Sequence, residues 1–457
     1  MSTKANLDRR DFIKMSGAVG AGLAAGGLKL PRMELIKPKN AGAHLACDPI
    51  KTVRVGFVGV GGRSISLMRP LLNIPGVEVK AVCDIREDRV ARAKAWVTDA
   101  DQPEPVGYCC GEYGFKKLCA RDDIDLVVTA TPWNWHVPVC VEAMKNGKHA
   151  ATEVPAAVTV DECWQLVETS EKMKRHCVMF ENTCYFREAM MILNMARKGL
   201  FGELLHGEGG YQHYRSFFCF LPDGTLNWCG EHSRKRDGCL YPTHQMGPIA
   251  QWMGTNRGDR LDYLVSMSTK STGMNLYAAE KFGADHELAK MNYKNGDVNT
   301  TMIRTVEGKT ITLYHDVQSP RPYDLIFRCQ GTEGIAMGSR MEIFIKGKTD
   351  KGGHKHQYES MENYAAEYEH PLWKDLKENA AKFGGHGGSD YMEVYRLIRA
   401  LQTGTRTDYD VYDAADWSVI APLSEKSVAH KSKPADFPDF TRGAWKTREP
   451  LGIVGAG

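Results

Sequence analysis

Among thirteen cysteines there is no C-x-x-C pair, and the adjacent Cys109 and Cys110 suit neither a zinc site nor an ordinary disulfide. No metal site is therefore expected, and the odd, scattered set reads as free, mostly buried thiols. No uninterrupted apolar run is long enough to anchor a mature transmembrane helix. Long basic blocks are missing as well. The formal charge of +3 is too small to imply nucleic acid or an anionic surface as partner. Internal repeats and low-complexity tracts do not stand out. What is present is an ordinary globular composition, 42% hydrophobic and 25% charged, in 457 residues, enough for two or three domains. Monomer and homo-oligomer both stay open.

The N-terminus has its own texture. Arg9-Arg10-Asp11-Phe12-Ile13-Lys14 precedes a small-residue, weakly apolar stretch from Met15 to Leu30. That is the layout of a twin-arginine export signal, which predicts a periplasmic or secreted protein. Leu45-Ala46-Cys47 matches a lipoprotein signal poorly, and residues 1–46 are assigned to signal and linker. Export in the folded state, after folding in a reducing cytoplasm, accounts for the many cysteines.

The run from Val53 to Asp84 predicts a bound dinucleotide. Val53, Val55, Phe57 and Val58 form an apolar strand pattern that enters a glycine cluster, Gly59, Gly61 and Gly62. A helix-like stretch follows, then a second apolar run, Val77 to Val82, ending at Asp84. Glycines let the backbone approach a pyrophosphate, and a helix N-terminus offers it free N–H groups. An acid ending the second strand would bind the ribose hydroxyls and repel a 2′-phosphate, which favours NAD over NADP. The third glycine of G-x-G-x-x-G is replaced by Ser64.

The βα alternation continues. Asp125–Ala130, His149–Glu153 and Cys177–Glu181 read as strands, Val137–Asn146 as a helix, and Thr159-x-x-Glu162 as a capping box opening another helix. The fold class is α/β: an N-terminal Rossmann domain, doubly wound around a parallel sheet (47–181), followed by an α+β domain with a largely antiparallel sheet (182–457). Ligands bind beyond the carboxyl ends of such strands, so Trp133 to His136, Glu153-Val154 and Glu181-Asn182 should face the cofactor. In the second domain, a helix around Met190–Lys198 and strands at Leu204–Tyr214, Asp262–Thr269, Thr300–Val306, Lys309–Asp316 and Asp324–Gln330 are expected. Residues 340–390, polar and rich in Lys, Gly and His, read as long surface loops.

The stretch DLVVTATPWNWHVPVCVEAMKNGKHAATEVPAAVT resembles the Gfo/Idh/MocA oxidoreductases, with TP…H, then GKH, then a triplet that here is Glu153-Val154-Pro155 in place of Glu-Lys-Pro. ENTCYFREAMMILNMARKGLFGELLHGEGGYQH, LYPTHQMGPIAQWM, SPRPY and QGTEG narrow the resemblance to glycoside hydrolase family 109, the NAD-dependent α-N-acetylgalactosaminidases. It spans roughly residues 50–440, where Tyr-Pro-Thr-His and Arg-Pro-Tyr are its more specific motifs. The resemblance implies cofactor contacts from Gly62, Arg63, Asp84, Trp133, Asn134, Trp135, His136, Glu153, Val154 and Asn182. Tyr241-Pro242-Thr243-His244 would meet both nicotinamide and sugar, and Tyr211 and Tyr323 the substrate. Where the family has Arg after Trp, this chain has Trp228-Cys229. A directional donor for the sugar is thereby lost, unless Arg234 or Arg236 replaces it.

The implied reaction is hydrolysis of a terminal α-N-acetylgalactosamine or a related sugar. It proceeds by transient oxidation at carbon 3, elimination, water addition and re-reduction, outside the usual two-carboxylate scheme. His244 and Tyr241 are the candidates for proton transfer, an imidazole near working pH and a phenol. Trp133 and Trp135 read equally well as core aromatics and Glu153 as a structural acceptor, while His386 and Asp390 stay undecided. Two other activities remain open: a periplasmic NAD-dependent sugar oxidoreductase with net redox turnover, and a noncatalytic binding module. Val154 in place of Lys speaks against the first, and Tyr241, His244 and Tyr323 against the second.

Overall fold

Strand β1 (Val53–Val58) is buried on both faces, as a strand of β-branched and aromatic residues between two helical layers must be. The computed structural model describes residues 47–351 and 357–453, so the export segment lies outside the described residues. β1 pairs in parallel with β2 (Val77–Cys83) on one side and β4 (Leu126–Thr129) on the other. With β3 (Val106–Tyr108), β5 (His149–Thr152) and β6 (Cys177–Met179), they form a six-stranded parallel sheet of order β3-β2-β1-β4-β5-β6. The order reverses direction at β1/β4, which opens a crevice beyond their carboxyl ends. The Thr159 capping box is present: its side chain accepts the Glu162 N–H at 3.2 Å, and Glu162 accepts the Thr159 N–H at 3.1 Å.

The second sheet has nine strands in the order β14-β13-β12-β11-β7-β10-β9-β8-β15. Its members are β7 (Leu204–Gln212), β8 (Leu261–Ser268), β9 (Val298–Thr305), β10 (Thr310–Asp316), β11 (Arg328–Gly331), β12 (Gly334–Met337), β13 (Glu342–Ile345), β14 (Glu359–Ser360) and β15 (Ala435–Asp436). Only the β7/β10 pairing is parallel. Glycine decides how this sheet meets its helix. A Cβ on Gly209 would stand 2.3 Å from the Gln245 carbonyl oxygen, so only glycine lets the helix Thr243–Met253 lie this close to β7. That contact sets Tyr241 and His244 against Tyr211.

Two sequence expectations need correction. The expected strand at Asp324–Gln330 begins only at Arg328, because Ile326 and Phe327 take left-handed φ angles of 64° and 49°, which breaks the ladder. The expected loops of 340–390 contain β13, β14 and the helix Pro371–Phe383, which is capped by the His370 ring and starts on proline. Its buried residues Leu372, Leu376 and Ala380 recur every four positions, a stripe hidden by the polar composition around it. Both sheets belong to one compact unit. The helix Ser389–Thr403 packs against Ser64–Leu72, and Val411–Ser418 against Val160–Met173, so late chain segments clad the parallel sheet. No helix among the described residues is long and apolar enough to cross a membrane.

Candidate active site

A cavity of about 710 Å³ runs from the glycine turn after β1 to the mouth of the second sheet. Of the sequence-predicted residues, Gly62, Arg63, Asp84, Trp133, Trp135, His136, Glu153, Val154, Asn182, Tyr211, Tyr241 and His244 line it. Asn134, Pro242, Thr243 and Tyr323 do not. Asn134 is exposed, Thr243 is buried at the start of its helix, and Tyr323 is half exposed.

The turn is shaped for close approach. Gly59 has φ +79°, and a Cβ there would meet the Thr131 amide at 2.8 Å, whereas a Cβ on Gly62 would meet nothing within 4 Å. The helix Ser64–Leu72 has no side-chain cap at its N-terminus, so its free N–H groups point to the open side of the turn. Ser64 fits the third-glycine position because it is small and buried, and its hydroxyl donates to the Gly61 carbonyl at 2.7 Å. Asp84 accepts the Val60 N–H at 2.9 Å and the Arg86 N–H at 3.0 Å, which fixes its carboxylate at the strand end. An uncapped helix end, an open turn and a fixed acid suit a dinucleotide's pyrophosphate and ribose.

Arg63 is bound on every side. It donates to Glu153 at 2.7 Å and to Asp390 at 2.8 and 3.1 Å, and reaches Glu393 at 3.5 Å. Burial opposes its charge, yet the three carboxylates hold the guanidinium well above its ordinary range. Asp390 also accepts from Asn182 at 2.8 Å. Burial pushes Glu153 up, with Arg63 opposing, and pushes Glu393 up further with the help of Asp390. Both nitrogens of buried His136 face backbone carbonyls, Pro155 at 2.7 Å and Thr131 at 2.9 Å, so this ring shapes the wall. Trp135 stacks edge-on with Tyr113 and Phe115 at 5.4 and 6.0 Å.

Trp133 bridges the two halves, 5.1 Å from the Trp228 ring and 5.6 Å from Tyr241. Beyond it, Tyr241 lies 4.6 Å from Tyr211 and 5.0 Å from His244, ring centre to ring centre. His244 Nδ1 is 2.6 Å from Glu181 Oε1, which leaves Nε2 to the cavity. Burial opposes the Glu181 charge, but the His244 ring and the Thr183 hydroxyl hold its carboxyl below the usual range. An ionised acid behind the ring fixes the tautomer with the proton on Nδ1. Burial, reinforced by Tyr211 and Glu153, holds the Tyr241 phenol well above its ordinary value. The pair therefore combines a basic imidazole nitrogen with a phenol that keeps its proton. Such a pair is able to take up and hand over protons without two carboxylates facing each other.

Residues 53–181 match the model of the oxidoreductase family with an NAD-binding Rossmann fold, and residues 185–447 match the glycosyl hydrolase 109 C-terminal domain. A glycosyl hydrolase family 109 protein of Shewanella putrefaciens is 44% identical over 99% of this chain and 100% of its own length. The chain belongs to glycosyl hydrolase family 109. Another relative, the alpha-N-acetylgalactosaminidase of Shewanella oneidensis, is 43% identical over 99% of this chain and all of its own. A levoglucosan dehydrogenase solved with NADH and levoglucosan shares the fold, with TM-score 0.63 at 20% identity over 85% of this chain and 100% of that one. Residues 6–26 match the twin-arginine signal model, so this family 109 member is exported by that pathway.

Sequence reading missed three features of the site: the partner of His244, the helix carboxylates that clamp Arg63, and a cavity-lining guanidinium. Glu181 was placed on the cofactor side, but nothing in the sequence tied it to His244, 63 positions away. Asp390 and Glu393 reach Arg63 from a helix more than 300 residues downstream. The third is Arg215. Arg234 pairs with Glu231 at 2.7 Å and Arg236 with Glu425 at 2.6 Å, and neither lines the cavity. Arg215, from the loop after β7, does line it, along with Cys229.

Proposed function

We propose that this family 109 protein is a retaining, NAD-dependent glycosidase for terminal α-linked N-acetylgalactosamine or a closely related sugar. The observation that carries the reading is the Glu181–His244 dyad, opening beside Tyr241 into the same cavity as the glycine turn. Gly62, Asp84, Trp133, Glu153 and Asn182 would hold the cofactor. Bound NAD supplies reversible hydride acceptance at sugar carbon 3, which acidifies the hydrogen on carbon 2. His244 Nε2 takes that proton, and Glu181 stabilises the imidazolium that results. Tyr241, protonated at working pH, orients the oxygen on carbon 3 or hands a proton to the departing aglycone. Elimination releases the aglycone, water adds to the unsaturated ketone as a proton returns to carbon 2, the hydride and a proton return to carbon 3 and its oxygen, and the sugar leaves with its configuration retained. Tyr211 and Tyr323 would hold the sugar. Trp133, Trp228, Tyr211 and Tyr241 give the cavity aromatic walls.

Hydrolysis of a chromogenic α-N-acetylgalactosaminide in deuterated water tests the reading. Deuterium should appear at carbon 2 of the released sugar, with no accumulation of NADH. Unlabelled sugar released at full rate would remove the elimination step. Stoichiometric NADH would instead favour a sugar oxidoreductase.

A further inference from the structure

The guanidinium of Arg215 stands at the sugar end of the cavity with little to neutralise it. One terminal nitrogen donates to the Tyr211 hydroxyl, and the group lies over the Phe218 ring at 4.4 Å. Its other near neighbours are the neutral Tyr241 phenol and the Cys229 thiol, and among the described residues no carboxylate pairs with it. Arg63, in the same cavity, faces three carboxylates. Taking a cation out of water without a counter-charge is costly unless its donors find acceptors. Guanidinium has five N–H donors and no acceptor, so most of its capacity remains for whatever fills the cavity.

The neighbouring groups sharpen what that ligand must offer. His315, 3% exposed, lines the cavity with its Nδ1 unpartnered, and His213 has a buried Nε2 without a partner. Burial pulls both rings down to about 4, helped at His213 by the Arg215 charge, so both are neutral at working pH. The sugar end of the wall thus presents Arg215 as its cation beside the neutral His315 ring, with neutral His213 packed on Tyr211. An oxygen that only accepts suits such a cation better than a hydroxyl, whose own proton must be placed elsewhere.

We propose that Arg215 is the specificity-determining residue of the sugar pocket, its guanidinium donating to the acetamido carbonyl oxygen of an N-acetylated hexosamine. This rests on the reading of the cavity as a sugar site and assigns the selection of the sugar to one side chain. The loop after β7 supplies the charge, and Cys229 lines the same cavity near it.

Titration calorimetry of the purified, nucleotide-containing protein with N-acetylgalactosamine and with galactose tests the assignment. The native protein should prefer the acetamido sugar by at least about tenfold, the value of a charge-assisted hydrogen bond. Arg215→Gln should weaken N-acetylgalactosamine binding by roughly 10- to 100-fold and galactose binding by less than about threefold, with nucleotide content unchanged. A native protein without preference, or an Arg215→Gln variant that keeps it, overturns the proposal. Should Arg215→Gln lose its nucleotide, Arg215→Lys carries the test. It keeps the charge but not the fork, so undiminished selectivity there also overturns the assignment. Hydrolysis is a separate readout. Selective binding without glycoside cleavage would sink the glycosidase reading and leave Arg215 in place.

Discussion

The two ends of the cavity are built on opposite rules. At the cofactor end the ionic groups are already spoken for: Arg63 by Glu153, Asp390 and Glu393, and Asp84 by two backbone amides. At the sugar end Arg215 has no carboxylate among the described residues, and His315 Nδ1 and His213 Nε2 have no partner. The first arrangement is a paired ionic cluster, in which Asn182 Oδ1 and Glu393 Oε2 are the buried oxygens left without a partner. The second leaves donors and acceptors for a ligand to complete. Such a division suits an enzyme that keeps one molecule bound through many turnovers and exchanges another at each one. Variants at the two ends should therefore fail differently.

The largest effect belongs between the ends, at the dyad. His244→Ala should lower turnover by roughly 10²- to 10⁴-fold, the usual range for a lost general base. Nucleotide recovered from the denatured protein should match the native amount, because the glycine turn and Asp84 are untouched. A variant that loses both activity and nucleotide would show His244 to be part of the cofactor cradle and would blur the contrast.

At the cofactor end, Asp390→Asn should show itself in acid. Burial works against the Asp390 charge, but bonds to His386 and Arg63 win and hold its carboxyl at about 2, below the ordinary 3.8. A group depressed in the folded state adds stability above its unfolded value and loses it as pH falls through the folded one. The contribution, on the order of 2 kcal/mol, should be complete above about pH 4 and gone near pH 2. Glu153 and Glu393, raised in the folded state partly by Asp390, act with the opposite sign, so the substitution relieves part of their penalty and offsets part of the loss. The readout is therefore the difference between native and variant urea midpoints from pH 6 downward. A difference that stays constant below pH 4 would mean that the Arg63 cluster is not an ionic clamp.

How much of this was legible in the sequence follows the same divide. The β-branched run, the glycine turn and Asp84 are local features, close together in the chain, and they fold as a local unit. Tyr241 and His244 were legible through a motif, and the glycines of β7 explain why that motif sits where it does. The clamp on Arg63 was only partly legible, since Asp390 and Glu393 come from the helix Ser389–Thr403, at and beyond the end of the stretch that reads as polar loop. Arg215 was missed for a related reason. A replacement guanidinium is expected close to Cys229 in the sequence, at Arg234 or Arg236, whereas the one that lines the cavity comes from the loop after β7, fourteen positions before Cys229. Ion pairs across folded layers leave no periodicity behind.

Asp84→Ala should weaken NAD binding by about 1–3 kcal/mol, the value of hydrogen bonds to a charged acceptor. Part of the loss comes from the loop itself, because the carboxylate also anchors the Val60 amide. Titration of nucleotide-stripped protein with NAD and NADP separates the two contributions. A preference for NAD that survives the substitution would place the discrimination elsewhere, with Arg86 and Arg89 the nearest charges.

The smallest effect should come at the rim. Tyr323 is half exposed, its ring edge-on to His213 at 5.2 Å, and it stands outside the cavity wall. If its hydroxyl only holds the sugar as it enters, Tyr323→Phe removes one hydrogen bond open to water, about 0.5–1.5 kcal/mol. That amounts to a KM a few-fold higher at unchanged kcat, because an interaction made equally in ground and transition states alters binding alone. The contrast with His244→Ala then separates holding from chemistry within one site. A fall in kcat with KM unchanged would mean that the ring moves inward during turnover and acts on the reacting sugar, and the sugar end would extend further than the cavity of the free protein.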